Sequence, residues 1–273
     1  LDLRTRLNAD VDAVTKQHTY LVSETFSGDR DQIKYYVKSS MLDGQFDFPL
    51  RAQVISSMLV GSSPMSDLGG FMDTNDSYYG STAVMSTFIG NHDVPRAIHF
   101  AQDNPHWNEW SDGKDLAWSG QPAEPSDTKP FERLANVFTL LFTTRGIPLV
   151  YYGDEIGMAG AGDPDNRRMM KWSGYSTGQQ RLLDHMKKLG AIRAKYASLR
   201  RGKRTTVSAD ATSYVYRMQY GTDAVYVAIN RADTPRTLTT LPSGVFRELL
   251  SSTTMTGPSV TVPPRSALVL SAQ

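Results

Sequence analysis

Four short apolar runs between residues 19 and 155 each stop in acid or amide, and this recurrence constrains the fold more than any other feature of the chain. "TYLVSETF" (19–26) reaches Glu24, and "GQFDFPL" (44–50) carries Asp47 and is closed by Pro49. "VMSTFIGNHD" (84–93) ends in Asn91, His92 and Asp93, and "RGIPLVYYGDE" (145–155) ends in Asp154 and Glu155. Helical patterns lie between them, at roughly 30–39, 50–60 and 130–144. The last opens on Pro130, a favoured first-turn residue, and aligns Phe131, Leu134, Phe138 and Leu141 on one face. Strands alternating with helices, and apolar almost throughout, predict an α/β fold with a parallel sheet covered by helices. In such folds the polar residues at the carboxyl ends of the strands form the site.

Two stretches depart from this rhythm. Residues 101–129 carry Pro, Gly, Ser and Asp with Trp107, Trp110 and Trp118, too long a segment for an idle connection. Its tryptophans fit a sugar platform and an internal anchor equally well. After an amphipathic helix expected over 179–200, the texture becomes all-β from residue 204, with two strands around a Gly221 turn and Ser/Thr-rich segments beyond. The chain is therefore expected to divide into 1–203 and a small antiparallel module over 204–273. At the other end, Leu3, Leu7, Val11 and Val14 recur at helical spacing without a capping residue ahead of them, as in a chain whose pattern starts upstream.

Lys plus Arg number 29 against 28 for Asp plus Glu, so no net field favours nucleic acid or an anionic membrane surface. Cysteine is absent, which removes disulfides and thiolate metal sites. No apolar run approaches the roughly 18 residues of a membrane helix. The chain has no G-x-S-x-G elbow, and the glycines of "GMAGAGD" (157–163) fit neither phosphate-binding spacing. No paired-histidine spacing suggests zinc. The basic cluster from Lys187 to Arg204 suits the negative end of a helix dipole.

The acids at the strand ends admit a plain reading, in which each caps a helix or pairs with an arginine. Parallel strands would nevertheless bring them to one rim. Two carboxylates on a rim suit glycoside hydrolysis: one donates a proton to the leaving oxygen while another group supports the cationic sugar. The proton donor needs a raised pKa, which neighbouring carboxylates supply.

"FIGNHDVPR" resembles the fourth conserved segment of the α-amylase family, glycoside hydrolase family 13, and "LVSETF" its third. "LDGQFDFPL" is similar to the sixth barrel strand, and "GIPLVYYGDEIGMAGAGDPDNRRMMKW" resembles the eighth and the stretch after it. The resemblance covers nearly the whole chain. It implies barrel strands five to eight of a (β/α)8 TIM barrel, then a small antiparallel β-sandwich. It implies Glu24 as general acid/base, and Asp93 as the aspartate that grips the sugar and stabilises the transition state. It further implies that His92 binds the same sugar, that Asp163 and Arg167 of "DPDNR" contact a donor-side sugar, that Asn91 orients its neighbours and that Arg168 is structural. The implied partner is an α-glucan such as starch or a maltooligosaccharide.

The family's nucleophile segment, with Arg two residues before the aspartate, has no counterpart here. "LNADVDAV" (7–14) offers Asp10 and Asp12 in a helical pattern with no strand before it. A complete barrel needs about 250 residues, so the missing half of the barrel is an expected partner of this chain. Retaining chemistry needs a second carboxylate about 5–5.5 Å from the acid, so the isolated chain is expected to be inactive. The resemblance implies no cofactor in this chain, leaves calcium to a longer protein, and implies secretion, with a cytoplasmic enzyme as the alternative. The rival readings are a non-catalytic barrel relative, a carbohydrate-binding or scaffold protein, and an α-glucanotransferase or cyclomaltodextrinase-like enzyme.

Overall fold

A computed structural model describes residues 2–272, so Leu1 and Gln273, the outermost residues of the two expected segments, lie outside the described residues. The four apolar runs form very short strands: β1 (Val22–Ser23), β2 (Gly44–Gln45), β3 (Ser86–Thr87) and β4 (Ile147–Pro148). β1 pairs in parallel with β2 and β3 with β4, and a parallel bridge from Phe46 to Ser86 joins the two pairs. All four therefore run side by side, in one direction and in chain order. Gly44 permits part of this closeness, because a Cβ there would collide with the carbonyl of Val84. The two outermost strands leave Val22 and Ile147 exposed.

The helices differ from expectation in instructive ways. α1 (Asp2–Leu7) continues through a π turn at Asn8–Asp12 into α2 (Ala13–Thr15). α3 spans Arg30–Tyr36, capped by Asp29, and ends short of residue 39. α4 (Phe48–Val54) starts earlier than residue 50, because Asp47 accepts a hydrogen bond from the Leu50 N–H and Pro49 occupies the first turn. It then loosens into a π turn over Ile55–Val60. α5 (Met65–Tyr78) was not expected. Its adjacent glycines and polar "DTNDSYY" end hide the helical period. Yet Met65, Leu68, Gly69 and Met72 are buried, and Gly69 is where Ala209 and the Tyr214 ring come closest. α6 (Lys129–Thr143) follows its apolar face closely. α7 (Thr177–Lys195) is started by a Ser176–Gln179 capping box, but it does not run on to 200. Tyr196 turns extended, and a separate turn, α8, covers Ser198–Arg201.

The carboxyl-terminal part is antiparallel. β5 (Lys203–Ala209), β6 (Ser213–Tyr220), β7 (Asp223–Asn230), β9 (Gly244–Glu248), β10 (Thr254–Gly257) and β12 (Ser266–Ala272) form a sheet in the order β10-β9-β12-β7-β6-β5. β8 (Arg236–Leu238) and β11 (Val260–Val262) pair separately. Alternation along the strands divides the sheet into two faces. Tyr214, Tyr216, Val227 and Ile229 join the core formed by α4–α7. Val215, Ala228, Leu268 and Leu270 face Leu238, Val260 and Val262 on the small sheet. One apolar core thus runs from the helices into the sheet.

Candidate active site

Because the four strands are parallel, the residues that follow them emerge at one edge. Glu24 follows β1, Asn91 to Asp93 follow β3, and residues 154–168 follow β4. Asn91 is buried and holds two of these segments together. Its Nδ2 donates to Glu24 Oε1 at 3.0 Å, and its Oδ1 accepts the Asp93 N–H at 2.9 Å. His92 Nε2 lies 3.4 Å from Asp93 Oδ1. Arg167 bridges two acids, with Nη2 3.8 Å from Asp93 Oδ1 and Nε 2.7 Å from Asp163 Oδ1. Glu24, His92, Asp93, Asp163 and Arg167 therefore belong to one connected cluster, although Asp163 and Arg167 follow Glu24 by more than a hundred residues of chain.

The Glu24 carboxyl is pushed above the ordinary carboxylate range, by partial desolvation first and by the charge of Asp93 second. His92 and the hydrogen bond from Asn91 pull the other way. Among the described residues, Asp93 is the carboxylate whose charge raises Glu24. A proton donor that keeps its proton longer than a free glutamate is what leaving-group protonation needs.

The other strand-end acids serve the fold. Asp47 is buried, caps α4, and accepts from Asn75 Nδ2 at 2.7 Å and Tyr79 Oη at 3.2 Å. Asp154 is buried with Oδ1 3.2 Å from Arg96 Nη1, and burial pushes its carboxyl up to about 6 against the opposing pull of Arg96. Gly90 is required beside it, since a Cβ at 90 would collide with Asp154 Oδ2. Glu155 is half-buried, and its Oε2 has no hydrogen-bond partner among the described residues. Asp12 accepts from the Thr19 N–H at 2.9 Å and its hydroxyl at 2.6 Å, at the exit from α2. Among the described residues no group of three or more His, Cys, Asp or Glu side chains is placed to hold a metal ion.

The family model of the alpha-amylase catalytic domain matches residues 2–205 of this chain. The chain belongs to the α-amylase family. A cyclomaltodextrin glucanotransferase of Paenibacillus macerans is 29% identical over 226 residues, covering 81% of this chain and 27% of its own length. An alpha-amylase of Niallia circulans is 27% identical over 234 residues, covering 84% of this chain and 38% of its own. A solved alpha-amylase of Geobacillus thermoleovorans, complexed with acarbose, superposes with a TM-score of 0.80 at 27% identity over 100% of this chain and 57% of that one. This α-amylase-family chain thus spans well under half the length of those two curated relatives.

Around the cluster, the tryptophans of the α-amylase-family chain divide by environment. Trp107 is 7% exposed and donates from Nε1 to Asp115 at 2.9 Å, so it anchors the loop internally. Trp110 is 40% exposed; its ring lies against Gly28 and meets Phe26 edge-on at 6.5 Å, two residues past Glu24. Trp118 is 81% exposed. Arg168 donates to Asp165 at 2.8 and 2.6 Å and to the Pro122 carbonyl at 3.0 Å, tying the tryptophan loop to the segment after β4. Sequence reasoning missed Arg96 and Asn166, which lie beneath the cluster. Both are buried polar residues inside motifs already singled out, "NHDVPR" and "DPDNR", and their place within those motifs was the available signal.

Proposed function

We propose that this chain is the second half of a (β/α)8 barrel, with β1–β4 as strands five to eight and residues 204–273 as the β-domain that follows. The parent enzyme is a retaining glycosidase or transglycosylase of α-glucans. Parallel pairing in chain order supports the half-barrel reading, and so do the exposed outer strands, whose open edges a further set of strands would cover.

The observation that carries the reaction is the coupled pair Glu24 and Asp93, spaced by Asn91. Glu24 donates its proton to the glycosidic oxygen as the bond from that oxygen to the anomeric carbon breaks. A carboxylate from outside this chain attacks the opposite face of that carbon and forms the glycosyl-enzyme. Glu24, now ionised, takes a proton from water or from an acceptor hydroxyl, which attacks and releases the sugar with retained configuration. Asp93 accepts hydrogen bonds from the ring hydroxyls and, with its charge, supports the cationic transition state. His92 contacts the same sugar, and Asp163 with Arg167 the next one on the donor side. Phe26, two residues past Glu24, and Trp110 present partly exposed aromatic rings of the kind that stack on sugar faces, and transfer to an acceptor sugar is the second outcome of this reading beside hydrolysis. An enzyme of polymeric substrate is expected to act outside the cell.

The test is maltoheptaose cleavage by a longer polypeptide that carries this chain, beside the 273-residue chain itself. The longer form should cleave and the short chain should not. Glu24→Gln should lower the turnover of the longer form by about a hundredfold or more, as loss of general acid catalysis does. Full activity in that variant would remove Glu24 from the chemistry.

A further inference from the structure

Asp93 is gripped through its backbone from both sides. Its N–H donates to Asn91, and the carbonyls of His92 and Val94, one residue before it and one after, both accept from Asn166 Nδ2 at 2.9 Å. Asn166 is fully buried. An asparagine amide has two N–H groups, and here both serve carbonyls that flank the same aspartate. Its own Oδ1 has no hydrogen-bond partner among the described residues, a buried acceptor left unsatisfied in order to place those two donors. The backbone carbonyl of Asn166 accepts from Arg96 Nε at 2.8 Å, and Arg96 in turn donates to the Tyr152 carbonyl and to Asp154.

Asn166 also sits in the single helical turn Asp165–Arg167, next to Arg167, whose guanidinium pairs with Asp163 and reaches Asp93 from the other side. The turn is itself fixed, since Asp165 Oδ2 accepts the Ala161 N–H at 2.8 Å and pairs with Arg168. One buried amide therefore couples the loop bearing His92 and Asp93 to the loop bearing Asp163 and Arg167.

We infer that Asn166 is a positioning residue: its amide clamps the backbone on both sides of Asp93, fixes the Asp93 carboxylate relative to Glu24, and makes the two sugar-facing loops a single unit. The catalytic part of this inference rests on the glucan-cleaving reading, whereas the coupling of the loops does not. Displacing a reacting group by about 1 Å costs about a hundredfold in rate, so a residue that touches no substrate can still control turnover.

Two variants separate donation from volume. Asn166→Asp keeps the shape but, ionised, has no N–H and turns acceptors toward two carbonyls; Asn166→Ala removes the group. Hydrogen–deuterium exchange is measured on the 273-residue chain, and maltoheptaose kinetics on the longer active form. In both variants exchange should rise together over residues 91–96 and 160–168, while 203–272 stays protected. Turnover should fall about a hundredfold with KM within about threefold, and Asn166→Asp should be no better than Asn166→Ala. Exchange that rises only in 160–168, or an Asn166→Asp turnover within twofold of the parent, overturns the inference. A variant that also loses protection over 203–272 has unfolded. Asn166→Ser, which keeps one donor, then decides: intermediate turnover supports the clamp and parental turnover overturns it. A parent that cleaves no glucan overturns the glucan reading alone, and the exchange pattern then decides the coupling.

Discussion

Asn91, a buried residue, holds Glu24 by a 3.0 Å part-buried hydrogen bond from its amide to Glu24 Oε1. That bond favours the ionised acid, against burial and the Asp93 charge, which favour the protonated one. Asn91→Ala therefore raises the Glu24 pKa further. Glu24 must be protonated for the first step, so the basic limb of the kcat profile on maltoheptaose moves to higher pH. His92→Ala moves it in the same direction, because the His92 charge also lowers the Glu24 pKa. A pH–rate series on the longer form checks this, and a shift to lower pH would contradict the assignment.

Gly90 immediately precedes Asn91, and a Cβ there meets the Asp154 carboxylate. That carboxylate is buried and tied to Arg96, so it has little room to withdraw. Gly90→Ala should destabilise the chain by about 1–3 kcal/mol through overpacking. Urea denaturation of the parent and variant measures the difference, and equal midpoints would mean that Asp154 moves freely.

Asp154 binds its proton more tightly in the fold than in the unfolded chain, with its carboxyl at about 6 against an unfolded value near 3.9. Its contribution to stability is full below about pH 4 and is lost as the pH rises through about 6. Asp154→Asn removes this titration. The stability curve between those pH values should then be flatter in the variant, as read by denaturation midpoints at pH 4, 5, 6 and 7. An unchanged slope would place the titrating group elsewhere.

Trp107 and Trp118 share one loop but should answer differently. Trp107→Ala removes a buried ring and its bond to Asp115, and should cost about 3–5 kcal/mol. Trp118→Ala alters an exposed ring and should stay within about 0.5 kcal/mol of the parent. Thermal melts of both variants decide between anchor and surface roles. If Trp118→Ala weakens maltoheptaose binding without changing the melt, it serves as a sugar platform.

The parts of the fold legible in the sequence were those encoded by neighbouring residues. α6 announces itself through Pro130 and the Phe131–Leu134–Phe138–Leu141 face. The strand ends are visible because a short apolar run stops abruptly at Glu24 or at Asn91. α5 was not legible, since the reason for a glycine at 69 is the close approach of Ala209 and Tyr214, more than a hundred residues along the chain. The break at Tyr196 was equally hidden inside an unbroken apolar period.

The sequence by itself determined where polar groups would punctuate the apolar runs, because hydrophobic period, proline and capping chemistry act within a few residues. It also carried the motifs that mark the α-amylase family. Those motifs singled out Glu24 and Asp93, but side-chain chemistry alone could not rank the acids at the strand ends, since Glu24, Asp47, Asp93 and Asp154 are alike on paper. Tertiary structure sorted them, burying Asp47 beneath Asn75 and Tyr79 and Asp154 against Arg96, while leaving Glu24 and Asp93 exposed at one edge and coupled through Asn91. The physical reason is that a carboxyl's proton affinity and reach depend on desolvation and on charges within a few ångströms. Those neighbours arrive from strands and loops far away in the chain.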